Sequence, residues 1–383
     1  MRANHLMSSL EQILPKLFSR IEQRDIRPGI SRVLNALKQL NFSEQSLGIV
    51  IHVAGTNGKG STAKMISTVL SQKATVGLFT SPHLVYVNER IQINNNPISD
   101  EAFATLYDTV KGMQLSFFET VTVIALLYFA QNNVTHTVLE VGMGGRLDAT
   151  NVIDAPIAVI TKIGLDHQQW LGTTKQEIAK EKAGIIKQDA RVFITQENRA
   201  VQDVFTEQAL ARNAQITWCE NTTHQVSLLG KHQQENAGLA QAVCEHLGCS
   251  KNEISTGLLT TSWQGRLQWL TDNILLDVAH NPDGINALAT YTHTIPSSIT
   301  VLFATSNNRS DESLKLLKPQ NVVFTQAGPN PTPLENFSFP GKRIPDVQEA
   351  FSYAKQQADV LLITGSIFLV GEILKLHQEG IIS

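Results

Sequence analysis

Residues 51–64 read IHVAGTNGKGSTAK, with a glycine-rich turn between an apolar run and a pattern typical of a helix. The common phosphate-binding loop has the form G-x-x-x-x-G-K-[ST]. Gly58 and Lys59 fit this form, but Val53 occupies the first glycine position and Gly60 stands where a hydroxyl residue should follow the lysine. The stretch is therefore either a degenerate nucleotide site or a working site of another kind.

The turn keeps the features that phosphate binding requires. Gly55, Gly58 and Gly60 allow a tight turn whose backbone N–H groups point into one concavity. The helix predicted from Ser61 onward would direct its N-terminus at the same place, and Lys59 would add a positive charge. For this loop alone, the alternative is an ordinary glycine-rich connection between a strand and a helix, without a phosphate ligand.

Short apolar runs rich in β-branched residues recur along the chain, among them LGIVIHVAG, VTHTVLEVG, APIAVITKIG and ADVLLITGS. Most are apolar throughout, which is typical of strands buried on both faces of a parallel sheet. Stretches with helical character lie between many of them, so we predict an α/β fold with a mostly parallel sheet. The polar stretch WQGRLQWLTDN indicates a boundary, which we place between residues 268 and 269, giving domains of residues 1–268 and 269–383.

Composition argues against several classes of protein. The chain has 383 residues and a net charge of −3, so it offers no broad basic surface of the kind that nucleic acids bind. Its three cysteines include no C-x-x-C pair, which argues against a disulfide framework or a zinc site. The N-terminus lacks the apolar core of a signal peptide, and the most apolar run, VTVIALLYFA, is roughly half the length of a membrane span. We expect a cytoplasmic protein that works as a monomer, without nucleic-acid or membrane partners.

Polar residues follow four of the predicted strands. Gly55–Ser61 follow the first, Ser81 the second, Glu140 the third and His167 the fourth. Ligands of open parallel sheets bind outside the carboxyl ends of the strands. We therefore expect one site to collect these loops, although they are far apart in the sequence.

A series of short motifs occurs in one order: GTNGKGS, FTSPHL, NERI, FFETVT, LEVGMGGRLDATN, DHQQWLG, EKAGI, GRLQ and DVAHNP. This series resembles the folylpolyglutamate synthase and dihydrofolate synthase family, a branch of the Mur ligase superfamily. The match runs from about residue 50 to 285 and resumes at ITGSIFLVGE. In this family GTNGKG is the normal form of the phosphate loop, so the resemblance implies a working nucleotide site.

The resemblance implies an ATP-binding N-terminal domain built on a P-loop-type sheet, a smaller Rossmann-like C-terminal domain, and a cleft between them. It also implies a reaction that forms an amide. The carboxylate of the substrate attacks the γ-phosphate of ATP, and the amino group of L-glutamate then displaces phosphate from the acyl phosphate. The implied substrates are ATP, L-glutamate, dihydropteroate and folates. Because a carboxylate and a triphosphate must meet, we expect Mg²⁺ to offset their repulsion.

The family's metal-binding positions correspond to Ser81, Glu140, His167 and Lys182. Glu140 is notable in itself, because a carboxylate at the end of an apolar run is seldom a packing residue, although it could cap the following loop. Magnesium prefers oxygen ligands and a lone histidine is more often a structural group, so the role of His167 comes from the resemblance. Ser81 could equally be a turn residue. The catalytic set that the resemblance implies is Lys59, Glu140, His167 and Lys182.

Lys182 lies near the end of the stretch TTKQEIAKEKAGI. Thr174 and Glu177 form a capping-box pattern, so we predict a helix from about Lys175 to Gly184. A lysine in the last turn of a helix is favoured by the helix dipole without any catalytic role. In the family the lysine at this position is carbamylated, which converts a cation into an anion with two oxygens suited to magnesium.

Other motif residues match the family's nucleotide site: Thr56, Asn57, Gly58, Lys59, Gly60, Ser61, Asn236, Arg266 and Asp277. Of these, Arg266 and Asp277 match residues that reach the nucleotide across the cleft. The positions that match the pterin site are Ser116, Phe118, Leu147, Asp148 and Ala149. An aromatic side chain such as Phe118 can pack against the flat pterin ring.

The sequence departs from the family pattern at three places. Gln264 replaces the usual proline before the Gly–Arg pair, and the N-terminal loop that helps to bind dihydropteroate is altered between Asp25 and Pro28. The loop TSNNRSDES lacks the glycine and the acid–lysine–acid run that relatives often carry. Ser366 is the residue that we expect to contact glutamate in the C-terminal domain.

Two other functions stay open. A ligase of the same superfamily could join amino acids to a cell-wall precursor, although GGRLDATN favours a folate. A nucleotide-binding regulatory module would need none of the downstream residues Glu140, His167 and Lys182. Within the folate family we predict a bifunctional enzyme, rather than one that only extends glutamate chains, because the LDAT and SFFE positions of a dihydropteroate pocket are present.

Overall fold

The computed structural model describes residues 10, 13–15, 17–18, 29–306 and 309–382 of the chain. The chain divides into two compact units. The first contains the described residues up to Pro82 together with Val87–Gln225 and Asn236–Thr260. The second contains His83–Tyr86, Val226–Glu235 and the described residues from Thr261 onward. Within these described ranges, none of the helices combines the length and apolar character needed to cross a bilayer.

The first unit contains a large, mostly parallel sheet. Its strands are β1 (Ile49–Ala54), β2 (Val76–Phe79), β3 (Ile91–Ile93), β4 (Asn96–Pro97), β5 (His136–Glu140), β6 (Ile157–Ile160), β7 (Arg191–Thr195) and β8 (Gln215–Cys219). They lie in the order β4-β3-β2-β5-β1-β6-β7-β8. In the part of this order that runs from β2 to β8, each strand is parallel to its neighbours. At one edge of the sheet, β3 pairs antiparallel with both β2 and β4. The loops that follow the parallel strands therefore leave the sheet at one edge.

Helices cover this sheet: α1 (Ser31–Gln39), α2 (Lys59–Leu70), α3 (Asp100–Val110), α4 (Phe117–Gln131), α5 (Gln168–Leu171), α6 (Lys175–Ala183), α7 (Arg199–Ala211), α8 (His232–His246) and α9 (Lys251–Thr260). Capping boxes at Ser116 and Thr174 fix the starts of α4 and α6, because each side chain accepts from a backbone N–H left without an intrahelical partner. The helix predicted from Lys175 to Gly184 is confirmed, with Gly184 at its C-cap.

The second unit has a smaller sheet, formed by β9 (Gln268–Thr271), β10 (Ile274–Leu276), β11 (Ile299–Phe303), β12 (Asn321–Phe324), β13 (Lys342–Arg343) and β14 (Val360–Thr364). The strand order is β13-β12-β11-β14-β10-β9, and only β9 pairs antiparallel to its neighbour. Its helices are α10 (Pro282–Thr292), α11 (Val347–Gln356) and α12 (Ile367–Gln378). The predicted α/β class with mostly parallel sheets is confirmed.

Two local predictions need correction. The helix expected from Ser61 begins two residues earlier, at Lys59, because Gly58 adopts a left-handed conformation and serves as the N-cap. The stretch WQGRLQWLTDN, which we expected to be a polar boundary, contains β9, which forms hydrogen bonds to β10. The predicted boundary between residues 268 and 269 thus falls inside β9. The second compact unit resumes at Thr261. The division into functional domains at residues 268 and 269 stays a prediction.

Candidate functional site

The glycine-rich loop connects the end of β1 to the start of α2. Thr56 N and Asn57 N both donate to Lys162 O, at 2.9 and 3.4 Å. The Thr56 hydroxyl donates to Gly164 O and accepts from Gly164 N. The first bond of the helical ladder runs from Thr62 N to Gly58 O. The N–H groups of the preceding residues therefore lie ahead of the ladder and point out of the helix N-terminus, which suits an anion.

Two glycines in the loop are required by close contacts. Gly58 has φ +88°, and a Cβ atom at this position would collide with the Asn236 side-chain oxygen. Gly55 has φ +149°, and a Cβ atom there would collide with the Thr161 hydroxyl. The structure thus brings Asn236, from α8, against the predicted phosphate loop.

Glu140 ends β5 beside the strand that leads into the loop. Its Cα partner across the sheet is Val53 in β1, and only 4% of the residue is exposed. Its Oε2 accepts a hydrogen bond from Ser81 N at 3.0 Å, so two of the predicted metal ligands lie together. A carboxylate and a serine hydroxyl are oxygen donors of the kind Mg²⁺ prefers, and these residues fit such an ion.

Arg90 provides a fixed positive charge beside this pair. Burial lowers the pKa of Arg90 to about 10, and the charges of Glu140 and Glu89 oppose that shift. The guanidinium lies 5.0 Å from the centroid of the Phe117 ring, a cation–π distance. Arg90 belongs to the NERI motif, but nothing in the sequence assigned it a role, because its burial beside Glu140 depends on tertiary structure.

Lys182 is buried under the phosphate loop. Its Nζ donates to Gly55 O at 2.7 Å. Burial, together with the positive charge of Lys59, lowers the pKa of Lys182 to about 7, while Asp166 and Asp148 act in the opposite direction. A substantial fraction of this amine is therefore unprotonated near neutral pH, and an unprotonated amine can react with carbon dioxide.

His167 is far more exposed than Glu140. Its side chain is 43% exposed, and its Nε2 lies 4.0 Å from Asp166 Oδ2. The described part of the chain holds no group of three or more His, Cys, Asp or Glu side chains arranged to bind a metal. Lys182 as a free amine is also a hydrogen-bond donor and not a magnesium ligand, so its predicted metal role requires a modification.

The predicted pterin residues surround the loop after β5. Phe118 lies 5.8 Å from Phe79 between ring centroids, and a Cβ atom at Gly142 would collide with its ring. Asp148 is buried and accepts from Met143 N at 2.9 Å and Thr150 N at 3.0 Å. Burial raises the pKa of Asp148, and these hydrogen bonds oppose the shift.

The remaining pterin positions differ in exposure and in local role. Ser116 caps α4, where its hydroxyl accepts from Glu119 N at 3.3 Å. Leu147 is 37% exposed, whereas Ala149 is buried. The predicted N-terminal loop from Asp25 to Pro28 lies outside the described residues.

Arg266 and Asp277 are neighbours within the second unit. Asp277 directly follows β10 and accepts from Leu267 N at 2.9 Å and Ala279 N at 2.8 Å. Burial raises the pKa of Asp277, while the positive charges of Arg266 and His232 act against that shift. Ser366 is the N-cap of α12 and accepts from Phe368 N.

Comparisons with known proteins agree with this geometry. Residues 53–224 match the family model described as the Mur ligase middle domain. A dihydrofolate synthase/folylpolyglutamate synthase of Bacillus subtilis (strain 168) is 31% identical, over 91% of this chain and 95% of the relative.

Two solved structures cover nearly all of the chain. A structure of Escherichia coli FolC in complex with DHPP and ADP is 26% identical and has a TM-score of 0.86. The match covers 98% of this chain and 99% of the FolC chain. A bifunctional folylpolyglutamate synthase/dihydrofolate synthase from Yersinia pestis, complexed with AMPPNP and a Mn ion, is 25% identical with a TM-score of 0.87, covering 99% of this chain and 100% of its own.

Two mostly parallel α/β sheets, with a glycine-rich phosphate loop on the larger one, define the architecture of a Mur-type ligase. More narrowly, the chain belongs to the dihydrofolate synthase/folylpolyglutamate synthase family.

Proposed function

We propose that the chain is an ATP-dependent ligase that adds L-glutamate to dihydropteroate and to reduced folates through an acyl phosphate. The observation that carries this proposal is the pairing of Val53 with Glu140 in adjacent parallel strands. This register places a buried carboxylate at the carboxyl ends of the central strands, where the phosphate loop begins. A carboxylate beside a triphosphate site is what metal-assisted phosphoryl transfer requires.

The substrate carboxylate is itself the nucleophile towards phosphorus, so this chain contributes positioning and charge neutralisation. Within the loop Thr56–Ser61, the backbone N–H groups of Gly58 to Ser61 bind the phosphates, whereas those of Thr56 and Asn57 donate to Lys162 O and hold the loop in place. Lys59 neutralises the β- and γ-phosphates. Asn236, which lies against Gly58, contacts the nucleotide from the side. A Mg²⁺ ion held at this site would offset the negative charge that accumulates during transfer.

Ser81 and Glu140 would hold this magnesium ion with oxygen atoms, and His167, whose side chain is 43% exposed, would be a further ligand. Lys182 contributes only after carbamylation, which gives it two oxygens in place of a cation. The low pKa of Lys182 supports this step, because only an unprotonated amine attacks carbon dioxide. The amine loses one proton and forms one N–C bond, so the reaction needs no further reagent.

The pterin ring packs on Phe118, and Ser116, Leu147, Asp148 and Ala149 complete its site. Arg266 and Asp277 act on the nucleotide, and Ser366 contacts glutamate. The enzyme works as a cytoplasmic monomer, with residues 1–268 and 269–383 as its two functional domains. Nucleic acids and membranes take no part in the reaction.

Bifunctionality is tested by supplying ATP, magnesium, L-glutamate and one pterin at a time to the purified protein. We expect ADP to form with dihydropteroate and also with tetrahydrofolate, and to require glutamate in both cases. ADP formation with tetrahydrofolate alone would remove the dihydrofolate synthase activity from the proposal. ADP formation only with a muramoyl precursor would assign the chain to a cell-wall ligase, and none with any substrate would leave a nucleotide-binding module.

Carbamylation of Lys182 gives a second prediction. Protein equilibrated with ¹³C-bicarbonate at pH 8 is expected to show a carbamate carbon resonance, because the pKa of Lys182 near 7 leaves most of the amine unprotonated there. The resonance should be lost in Lys182→Gln and kept in Lys180→Gln, which changes an exposed lysine of the same helix. A spectrum unchanged by Lys182→Gln would show that the carbamate forms elsewhere or not at all.

A further inference from the structure

A buried chain of hydrogen bonds connects the strand before the phosphate loop to the loop that carries Asp148. His52 lies in β1, and its Nε2 is 2.8 Å from Thr150 Oγ1. Thr150 Oγ1 donates to Asp148 Oδ1 over 2.5 Å. His52 and Thr150 are both 0% exposed, so bulk water does not compete for these groups.

The donors and acceptors in this chain have one consistent arrangement. Asp148 Oδ1 also accepts from the backbone N–H of Thr150, so it is an acceptor here and the Thr150 hydroxyl directs its proton at it. The hydroxyl oxygen then accepts from His52, which places the imidazole proton on Nε2. Among the described residues, His52 Nδ1 has no hydrogen-bond partner, and a second proton there would be a buried donor without an acceptor.

The protonation state of His52 agrees with this arrangement. Burial, with a smaller contribution from the charge of Lys187, lowers the pKa of His52 to about 3. The imidazole is therefore neutral near physiological pH. It acts as a fixed donor and not as an acid or a base.

We infer that His52 is a positioning residue for the pterin substrate, acting through the Thr150 hydroxyl on the carboxylate of Asp148. The inference rests on the proposed function, in which Asp148 forms part of the pterin site. Oδ1 of Asp148 is held by Thr150, and Oδ2 is held by Met143 N. With both oxygens held, the carboxylate keeps one orientation.

Without the donor from His52, the Thr150 hydroxyl oxygen loses one of its two hydrogen bonds, and its bond to Asp148 Oδ1 is less constrained. The backbone N–H groups of Thr150 and Met143 still bind the carboxylate, so its orientation shifts but its burial does not change. The effect should fall on pterin binding, because Asp148 belongs to that site. The phosphate loop is held separately, by the bonds of Thr56 and Asn57 to Lys162 O. A defect at His52 should therefore leave ATP binding largely unchanged.

The variant His52→Leu removes the donor while keeping a side chain that fills the space. We expect the KM for dihydropteroate to rise about tenfold, the typical loss for one hydrogen bond in a charged network, and the KM for ATP to stay within about twofold. Thr150→Val breaks the same chain and should have a similar effect. The double variant should be no worse than either single one, because both changes remove one interaction.

Two further variants separate positioning from simple loss of packing. His52→Gln keeps an N–H donor and should recover most of the pterin affinity. Ile51→Val trims a fully buried neighbour in the same strand without touching a hydrogen bond, and it should leave both KM values unchanged. The inference is overturned if His52→Leu changes both KM values equally, if it changes neither, or if its effect adds to that of Thr150→Val.

A measurement without any substrate covers the case in which the leucine variant does not fold. In wild-type protein labelled with ¹⁵N-histidine, His52 should show a protonated Nε2 and a bare Nδ1, with the resonance assigned by its loss in His52→Gln. The opposite tautomer would overturn the hydrogen-bond chain. If the wild-type protein forms no ADP with any pterin, the proposed function has failed; if it is active but the variants show no selective change, only this inference has failed.

Discussion

Replacing Lys59 with alanine is expected to lower kcat/KM for ATP-dependent glutamate addition by roughly 10²–10³-fold, the usual loss for one electrostatic contact to the reacting group. Lys59 is the first residue of α2, and its Nζ makes a bond to Thr56 O at 3.2 Å. Since the side chain is only half-buried, its loss should cost little stability. The measurement is ADP formation by a variant whose thermal unfolding matches that of the wild type.

Lys162→Ala is the matched control for this prediction. Its backbone carbonyl accepts from the phosphate loop, but its side chain points elsewhere, with Nζ donating to Gln196 O at 2.9 Å. The control removes the same charge close to the loop, so we expect less than about a threefold loss of activity. Normal turnover by Lys59→Ala, or equal losses in the two variants, would mean that Lys59 has no specific role at the phosphates.

Glu140→Gln should be the more damaging of two changes at the metal site, with a loss of roughly 10²–10³-fold in magnesium-dependent activity. An amide oxygen still accepts from Ser81 N, so the local structure should persist. What disappears is the negative charge that holds the metal and faces Arg90. His167→Ala should cost about 10–100-fold, because water can replace a ligand on the exposed rim.

Glu197→Gln controls for the isosteric change. Its side chain is 3% exposed and accepts from Ile163 N at 2.8 Å, so it is also a buried carboxylate bonded to a backbone amide. We expect its activity to stay within about threefold of the wild type. The two site variants are compared over a magnesium titration, and a larger loss in His167→Ala than in Glu140→Gln would show that Glu140 is not the central ligand.

The sequence predicted the parallel core of the fold because its strands are apolar on both faces. β1, β2, β5 and β6 are almost wholly buried, and such runs are recognisable without a partner. The sequence does not identify the edge strand β9, since each of its residues is only half-buried and its sequence, Gln-Trp-Leu-Thr, is neither a continuous apolar run nor alternating in polarity. β4 and β13 have two residues each, which is too short for any periodic pattern.

Some residues of the candidate site could likewise be identified from the sequence, and others could not. Glu140 was identifiable because a carboxylate at the end of an apolar strand is chemically unusual. Arg90, His52 and Thr150 were not, because their importance comes from partners 50 or more residues away in the chain, as in the bond between His52 and Thr150 (|i−j| = 98). Hydrogen bonds of that kind leave no local pattern in a sequence.

The central claim, that the substrate carboxylate takes phosphate from ATP before glutamate displaces it, is tested most directly by isotope transfer. Dihydropteroate labelled with ¹⁸O in both oxygens of its carboxylate is incubated with the enzyme, ATP, magnesium and L-glutamate, and the inorganic phosphate is analysed by mass. An acyl phosphate keeps one carboxylate oxygen on phosphorus when the amine displaces it, so each phosphate released should carry one ¹⁸O. Phosphate without ¹⁸O, while ADP accumulates, would mean that water attacks ATP, and it would contradict this account of the reaction.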